Sequence, residues 1–243
     1  LWKYLVINVI KLKYFTQVYS KPDISKTKFR SVSDYDAVLF GKLKEESGFI
    51  PFALPRINFS KQKKENHIIS VGKAEDRKGF IELIETFRSL HQVELKTYKL
   101  VLVMQVAKKE HKEIYGKIRE ENRDLIQSER LYLFCNLQTI ETRRKIAKSN
   151  VFVLNSHDEP ASFAQFEAIA LNTPVILNRD NGACEILPDN FGIMKIRSNK
   201  DLERAIVQMV RYISQNRKSL ESLNRILSNR LDSDYICESW LSL

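Results

Sequence analysis

Residues Val151–Leu177 of the chain read VFVLNSHDEPASFAQFEAIALNTPVIL. The stretch opens with four consecutive apolar residues, which are typical of a strand that is buried on both faces. Ser162 and Gln165 form a capping-box pattern, so a helix is predicted to begin at Ser162. Pro174 then opens a second apolar strand, Pro174–Leu177. A strand, a helix and a second strand in this order predict a β-α-β unit with parallel strands.

The same alternation extends in both directions from this unit. Apolar residues recur on one helical face from Phe80 to Leu90 and again from Leu202 to Ile213. Alternating strands and amphipathic helices predict an α/β fold over residues 59–216, a Rossmann-like parallel sheet with helices on both faces. The other predicted strands are short and rich in β-branched residues: His67–Val71, Leu100–Met104, Leu131–Phe134 and Gly192–Ile196.

The two ends of the chain have a different pattern. Residues 1–58 hold two predicted strands, Leu5–Ile10 and Ala37–Phe40, and the prolines of Gly48–Arg56 indicate a domain boundary. Such a short segment cannot form a second complete α/β domain. Helices are predicted over 217–230 and 233–242. The chain begins with Leu1 rather than Met, which favours a fragment of a longer protein or a start further upstream.

Composition places the chain among ordinary soluble proteins. It has 243 residues, of which 43% are apolar and 29% charged, so disordered and collagen-like proteins are excluded. The longest apolar run, Tyr4–Ile10, is too short to span a bilayer, and no secretory signal is recognisable. Three scattered cysteines form neither a disulfide framework nor a metal-ligand spacing, which favours a reducing cytoplasm.

The net charge of +10 is concentrated near the N-terminus. Residues 1–30 carry seven basic residues and one acidic residue, a net charge of +6. This segment predicts a peripheral contact with an anionic membrane surface, although a solvated basic surface has the same composition. Nucleic acid is not expected as a partner, because the sequence has neither a basic segment with interleaved aromatic residues nor a zinc-ligand spacing.

The loops that follow the predicted strands form the candidate site, because ligands of open parallel sheets bind beyond the carboxyl ends of the strands. After the first strand of the sheet, Gly72 allows a sharp turn, and Lys73 and Lys78 suit a diphosphate. Lysines in a surface loop are also common as solvated residues without a ligand.

Two glutamates flank the start of the helix in the opening stretch. Glu159 precedes it and Glu167 lies on its second turn, and a carboxylate accepts hydrogen bonds from neighbouring hydroxyl groups of a ribose or hexose. The backbone N–H groups of the first turn, at Ser162, suit an anion or hydroxyl oxygens. Each glutamate taken singly is equally typical of a solvated or helix-stabilising residue.

The order and spacing of these residues resemble a known family. Over about residues 60–215 the chain resembles the C-terminal, donor-binding half of retaining glycosyltransferases with the GT-B fold, in the family-four group of hexosyltransferases (glycosyl transferases group 1). The segments that carry the resemblance are Gly72-Lys73, Lys78-Gly79, Glu159-x7-Glu167-Ala168, Pro174-Val175-Ile176 and Gly182-x-x-Glu185.

The resemblance implies retaining transfer of a hexose from a UDP- or GDP-sugar to a glycan or lipid-linked acceptor, as in polysaccharide biosynthesis. It implies no cofactor and no required metal, with Glu159 as the catalytic residue beside the donor hexose and Glu167 on the ribose. Residues 1–58 would be the tail of the N-terminal acceptor domain, and helices in 217–243 would pack back toward it. The implied donor-binding residues are Gly72, Lys73, Lys78, Asn136 near the base, Ser162, Phe163 and Glu167.

Several positions depart from the family pattern. Ala161 and Ser162 stand in place of an aromatic residue and a glycine, and Gln105-Val106-Ala107 replaces a Gly-x-Gly turn. The chain has only seven glycines, whereas average usage predicts roughly 17. Because glycine allows the backbone to approach a phosphate closely, these departures favour a second hypothesis, a non-catalytic glycosyltransferase-like binding or partner subunit.

Overall fold

The structure is a computed structural model that describes residues 29–31, 47–49, 62–157, 159, 162–185, 187 and 192–216. Two short strands near the N-terminus, β1 (Phe29–Ser31) and β2 (Ser47–Phe49), pair in parallel and were not predicted. The predicted strands Leu5–Ile10 and Ala37–Phe40 and the predicted helices over 217–243 lie outside the described residues. These elements and the domain limits at 58 and 216 therefore stay predictions.

Six strands alternate with helices between residues 62 and 216, and all six predicted strands are confirmed. The strands are β3 (Glu65–Lys73), β4 (Lys99–Gln105), β5 (Leu131–Cys135), β6 (Ser149–Leu154), β7 (Val175–Asn178) and β8 (Ile193–Ile196). The helices are α1 (Phe80–His91), α2 (Lys109–Glu121), α3 (Arg123–Gln127), α4 (Thr139–Lys148), α5 (Phe163–Ala170) and α6 (Asn199–Asn216).

The six strands form one parallel sheet in the order β5-β4-β3-β6-β7-β8. The chain adds β4 and β5 on one side of β3, and then returns to add β6, β7 and β8 on the other side. Between β3 and β6 the order reverses, so the loops at their carboxyl ends diverge and a crevice opens there. The predicted Rossmann-like α/β fold is confirmed, and this crevice is where the sheet positions a ligand site.

Alternate residues of the central strands pack on opposite faces of the sheet. Ile68 packs in a cluster with residues of α1 and α6, whereas its neighbour Ile69 packs in a cluster with residues of α4 and α5. Both isoleucines are fully buried. Burial on both faces explains why the strands are continuous apolar runs in the sequence. No helix in the described part of the chain is long and apolar enough to cross a membrane.

Gly79 lies where the loop after β3 contacts the loop after β6. It lies between a 3₁₀ turn (Asp76–Lys78) and α1, with a φ of 65°, in the left-handed region that favours glycine. A Cβ placed on Gly79 would lie 2.4 Å from the backbone oxygen of Asn155, the residue that follows β6. Only glycine therefore satisfies both the backbone conformation and the close contact between the two loops.

We expect the substitution Gly79→Ala to lower the free energy of unfolding by about 2–4 kcal/mol, from backbone strain and the clash with Asn155. Gly116→Ala is the matched control, because Gly116 lies inside α2 and a Cβ there meets no atom within 4 Å. The control should raise the stability by about 0.5–1 kcal/mol through helix propensity. Urea denaturation measures both, and equal effects of the two substitutions would contradict this account of Gly79.

Candidate functional site

A buried group of charges bridges the crevice between β3 and β6. Lys78, in the loop after β3, donates a hydrogen bond to Oε2 of Glu159, in the loop after β6. Arg77 Nη1 donates to the same oxygen at 3.1 Å. Lys78 is 6% exposed and Glu159 is 7% exposed. Two cations of one loop therefore share a single buried carboxylate oxygen of the opposite loop.

Backbone hydrogen bonds hold the loops that carry these side chains. The N–H of His157 donates to the carbonyl of Arg77 at 2.8 Å, and the N–H of Gly182 donates to the carbonyl of Glu159 at 2.8 Å. Gly72 leaves room for the stem of Lys78, because a Cβ on Gly72 would lie 3.3 Å from Lys78 Cδ. The loops after β3 and β7 thus both contact Glu159 of the loop after β6, the first through its carboxylate and the second through its backbone carbonyl.

The group extends from Arg77 to a second carboxylate. Arg77 Nε donates to Glu75 Oε2 at 2.9 Å, and His111 Nε2 lies 3.5 Å from Glu75 Oε1. Burial disfavours the charged guanidinium, but the carboxylates of Glu159 and Glu75 outweigh it and raise the pKa of Arg77 above its ordinary value. We call Glu75, Arg77, Lys78 and Glu159 the charge cluster. Its two positive and two negative charges cancel.

The second predicted glutamate makes a separate ion pair. Arg143, on α4, donates from Nε and from Nη2 to Oε1 of Glu167, at 3.0 and 2.7 Å. The side chain of Glu167 is 15% exposed and that of Arg143 is 24% exposed. Glu167 lies on the second turn of α5, as predicted, and its carboxylate is held by a neighbouring helix.

The helix that begins after Ser162 is confirmed, but the predicted capping box is wrong. Ser162 is the N-cap residue of α5, and its side chain makes no capping hydrogen bond. Gln165 instead exchanges two hydrogen bonds with Asn181: Gln165 Nε2 donates at 3.2 Å and Asn181 Nδ2 donates back at 2.6 Å. Both amides are buried. Gln165 thus connects α5 to the loop after β7 through two hydrogen bonds.

The remaining predicted donor residues lie outside the charge cluster. Lys73 is the last residue of β3 and is exposed, and within the described part of the chain no ion pair joins it to Glu159 or Glu167. The side chain of Asn136 is hydrogen-bonded to the backbone of Val106. Its Oδ1 accepts from the Val106 N–H at 2.7 Å, and its Nδ2 donates to the Val106 carbonyl at 3.2 Å. Phe163, the first residue of α5, is 47% exposed.

A buried hydroxyl group lies at the end of β6. Ser156 is completely buried, and its Oγ has no hydrogen-bond partner among the residues that the structure describes. A buried hydroxyl without a partner costs about 1–3 kcal/mol, and such groups are rare in folded proteins. Ser156 is also next to His157, whose backbone N–H holds the loop of the charge cluster.

Sequence reasoning did not assign Arg77, Glu75 or Arg143 to the site. Arg77 had a visible signal, because it is a basic residue beside Lys78 in the same loop. Arg143 had none, since only the packing of α4 beside α5 brings it to Glu167. Within the described residues no three histidine, cysteine, aspartate or glutamate side chains are grouped so that they could hold a metal ion.

Comparison with known proteins assigns the family. The family described as Glycosyl transferases group 1 matches residues 55–226, which is more than half of the chain. The chain belongs to the glycosyl transferases group 1. None of the curated protein sequences compared with this glycosyltransferase chain is significantly similar to it.

Solved structures share the fold of this glycosyltransferase chain at low sequence identity. A glycosyltransferase from Rickettsia africae is 16% identical with a TM-score of 0.74, and the match covers 94% of this chain and 65% of that protein. HepE from Anabaena, solved with UDP and glucose, is 17% identical with a TM-score of 0.73, covering 89% and 63%. A mutant of TarM from S. aureus, solved with Fondaparinux, alpha-GlcNAc-glycerol and UDP, is 15% identical with a TM-score of 0.71, covering 88% and 43%. This chain therefore spans less than two thirds of each of these proteins.

We expect the substitution Lys78→Met to lower the free energy of unfolding by about 2–4 kcal/mol, because it leaves the buried carboxylate of Glu159 with one cation instead of two. Methionine keeps the apolar stem that packs beside Gly72. Lys73→Met is the matched control and should change the stability by less than about 0.5 kcal/mol, because Lys73 is exposed.

The double variant Lys78→Met, Glu159→Gln separates charge pairing from packing. It removes both charges, so most of the lost stability should return. Chemical denaturation of the four proteins gives the comparison. If the double variant is less stable than Lys78→Met alone, the two side chains do not form the buried pair described here.

Proposed function

We propose that the chain is the donor-binding part of a retaining hexosyltransferase that uses a UDP- or GDP-sugar and transfers the hexose to a glycan or lipid-linked acceptor. The observation that carries the proposal is the charge cluster at the reversal point of the sheet, in a chain of the glycosyl transferases group 1. Lys78 and Arg77 converge there on one anionic oxygen. A diphosphate presents anionic oxygens to the same two donors.

Donor binding in this proposal is an exchange of anions. The diphosphate of the donor takes the place of the Glu159 carboxylate on Lys78 and Arg77, so the buried Lys78 and the partly exposed Arg77 both keep a partner throughout. The two cations and the backbone N–H groups in the first turn of α5 then stabilise the negative charge that grows on the departing diphosphate. All these donors belong to this chain, and the step needs no metal.

The exchange also frees Glu159 for the sugar. A carboxylate released from Lys78 and Arg77 accepts hydrogen bonds from hydroxyl groups of the hexose and orients its anomeric carbon, and Glu167 accepts them from the ribose. Lys73, exposed at the end of β3, contributes a further positive charge to the approaching diphosphate. Retention of configuration and the choice of hexose rest on the family resemblance.

A non-catalytic nucleotide-binding subunit is the second candidate. The observation that favours it is the loop after β4, where Gln105-Val106-Ala107 stands in place of a Gly-x-Gly turn and Asn136 is hydrogen-bonded to both the N–H and the carbonyl of Val106. A subunit of this kind would bind the nucleotide sugar without transferring it. Release of UDP or GDP from the matching sugar nucleotide, assayed with the full-length gene product and an acceptor extract, distinguishes the two candidates.

The wild-type chain should bind UDP or GDP, as measured by isothermal titration calorimetry. Of the two nucleotides, the one that wild type binds more tightly is used for the variants. The substitutions Lys78→Met and Glu167→Ala should each lower the affinity for it by about 10- to 100-fold, because each removes a charge-assisted hydrogen bond. Lys99→Met is the control. Lys99 lies at the start of β4, at the opposite end of the strands from the charge cluster. Absence of binding to both nucleotides, or equal affinities in all four proteins, would refute the proposed site.

The basic N-terminal segment supports a peripheral position at the cytoplasmic face of a membrane, where lipid-linked acceptors reside. The full chain should therefore co-sediment with vesicles that contain anionic lipid at low salt and should be released at high salt, because the attraction is screened within about 10 Å at 0.1 M salt. Vesicles of neutral lipid are the control. Equal binding to both kinds of vesicle, or none to either, would remove the electrostatic contact from the proposal.

A further inference from the structure

We infer that Arg143 is a positioning residue of the donor site, which orients the Glu167 carboxylate so that its second oxygen accepts hydrogen bonds from the ribose hydroxyls. The inference rests on the proposed function, because it takes Glu167 to be the residue that binds the ribose. Arg143 itself need not touch the nucleotide. Its part is to hold another side chain in the conformation that binds.

The first step of the argument is the geometry of the ion pair. Nε and Nη2 of Arg143 both donate to the same oxygen of Glu167, Oε1, at 3.0 and 2.7 Å. No described residue is hydrogen-bonded to the other oxygen, Oε2. A carboxylate has about four lone-pair sites on its two oxygens. The arrangement therefore fixes the carboxylate through one oxygen and leaves the acceptor sites of the other oxygen for a ligand.

The second step is the rigidity of the two helices that carry the pair. Ile146 on α4 and Phe166 on α5 are in the same apolar cluster on one face of the sheet, with exposures of 0% and 1%. Because these neighbours fix both backbones, the distance between Arg143 and Glu167 is set by the core. A glutamate without such a partner keeps much of its rotamer freedom, and ordering it on binding costs free energy.

The third step concerns the chemistry of the positioning group. An arginine presents several N–H groups in a planar fork, so it restrains both the position and the orientation of a carboxylate. A lysine in the same place would keep the positive charge but would restrain only the position. Arg143→Lys therefore separates the charge of the residue from its fork geometry, and Arg143→Gln removes the charge.

The test compares ribonucleotides with deoxyribonucleotides. The affinities of UDP and 2′-deoxy-UDP, and of GDP and 2′-deoxy-GDP, are measured for wild type, Arg143→Gln and Arg143→Lys. Wild type should prefer the ribonucleotide by about 10-fold or more, as expected for a hydrogen bond to a charged group. The preference should fall below about 3-fold in Arg143→Gln and should be intermediate in Arg143→Lys.

Two controls exclude a general loss of structure. Arg144→Gln changes the next residue of α4, which is exposed, and should keep the wild-type preference. Inorganic pyrophosphate lacks a ribose, so its affinity should be the same in Arg143→Gln as in wild type. A parallel loss of pyrophosphate affinity and ribonucleotide affinity would assign Arg143 a merely structural role and overturn the inference.

The remaining outcomes separate this inference from the proposed function. If wild type binds a nucleoside diphosphate with a ribose preference that Arg143→Gln retains in full, the inference is wrong and the proposed function stands. If wild type binds without any ribose preference, Glu167 is not oriented toward the ribose and the inference is again overturned. If wild type binds neither the nucleoside diphosphates nor pyrophosphate, the proposed function fails and this inference fails with it.

Discussion

The contact between Lys78 and Glu159 is the interaction on which the rest of the site depends. It crosses the crevice that the sheet opens where its strand order reverses, and it joins the loop after β3 to the loop after β6. Charges removed from water are costly unless each has a partner in good geometry. Arg77 and Glu75 complete the set, so that a cluster of four charged side chains is electrically balanced. The glycines at 72 and 79 make the room that this close approach requires.

A balanced cluster explains how a binding site for an anion can exist before the anion arrives. Cations that were exposed for a ligand would repel each other, whereas cations held by Glu159 are stable and already placed at the crevice. The ligand then replaces one carboxylate rather than ordering two flexible side chains, which reduces the entropic cost of binding. The Arg143–Glu167 pair is likewise formed before a ligand arrives. Arg143 on α4 holds the carboxylate of Glu167 on α5 in place.

The fold was predictable because its signals are local. Each buried strand contains a short apolar run, and the helix predicted to begin at Ser162 has Ser162 as its N-cap residue. The contacts of the site were less predictable because they depend on tertiary packing. Lys73 extends the pairing of β3 with β4 and stays exposed, whereas Arg77 and Lys78 lie in the 3₁₀ turn that folds across the crevice. Similarly, Gln165 bonds to Asn181 rather than to its own helix terminus, because a buried partner outcompetes a local one.

The most direct test of the central claim is the affinity of UDP for the variant Glu159→Gln, compared with wild type by isothermal titration calorimetry. In the exchange of anions, the Glu159 carboxylate competes with the diphosphate for Lys78 and Arg77. Removal of the Glu159 charge should therefore make UDP bind more tightly. The expected increase in affinity is about 10-fold, which corresponds to one hydrogen bond to a charged group that UDP no longer has to displace. Weaker binding of UDP to Glu159→Gln would contradict the account, because it would mean that the carboxylate supports the nucleotide instead of occupying its place.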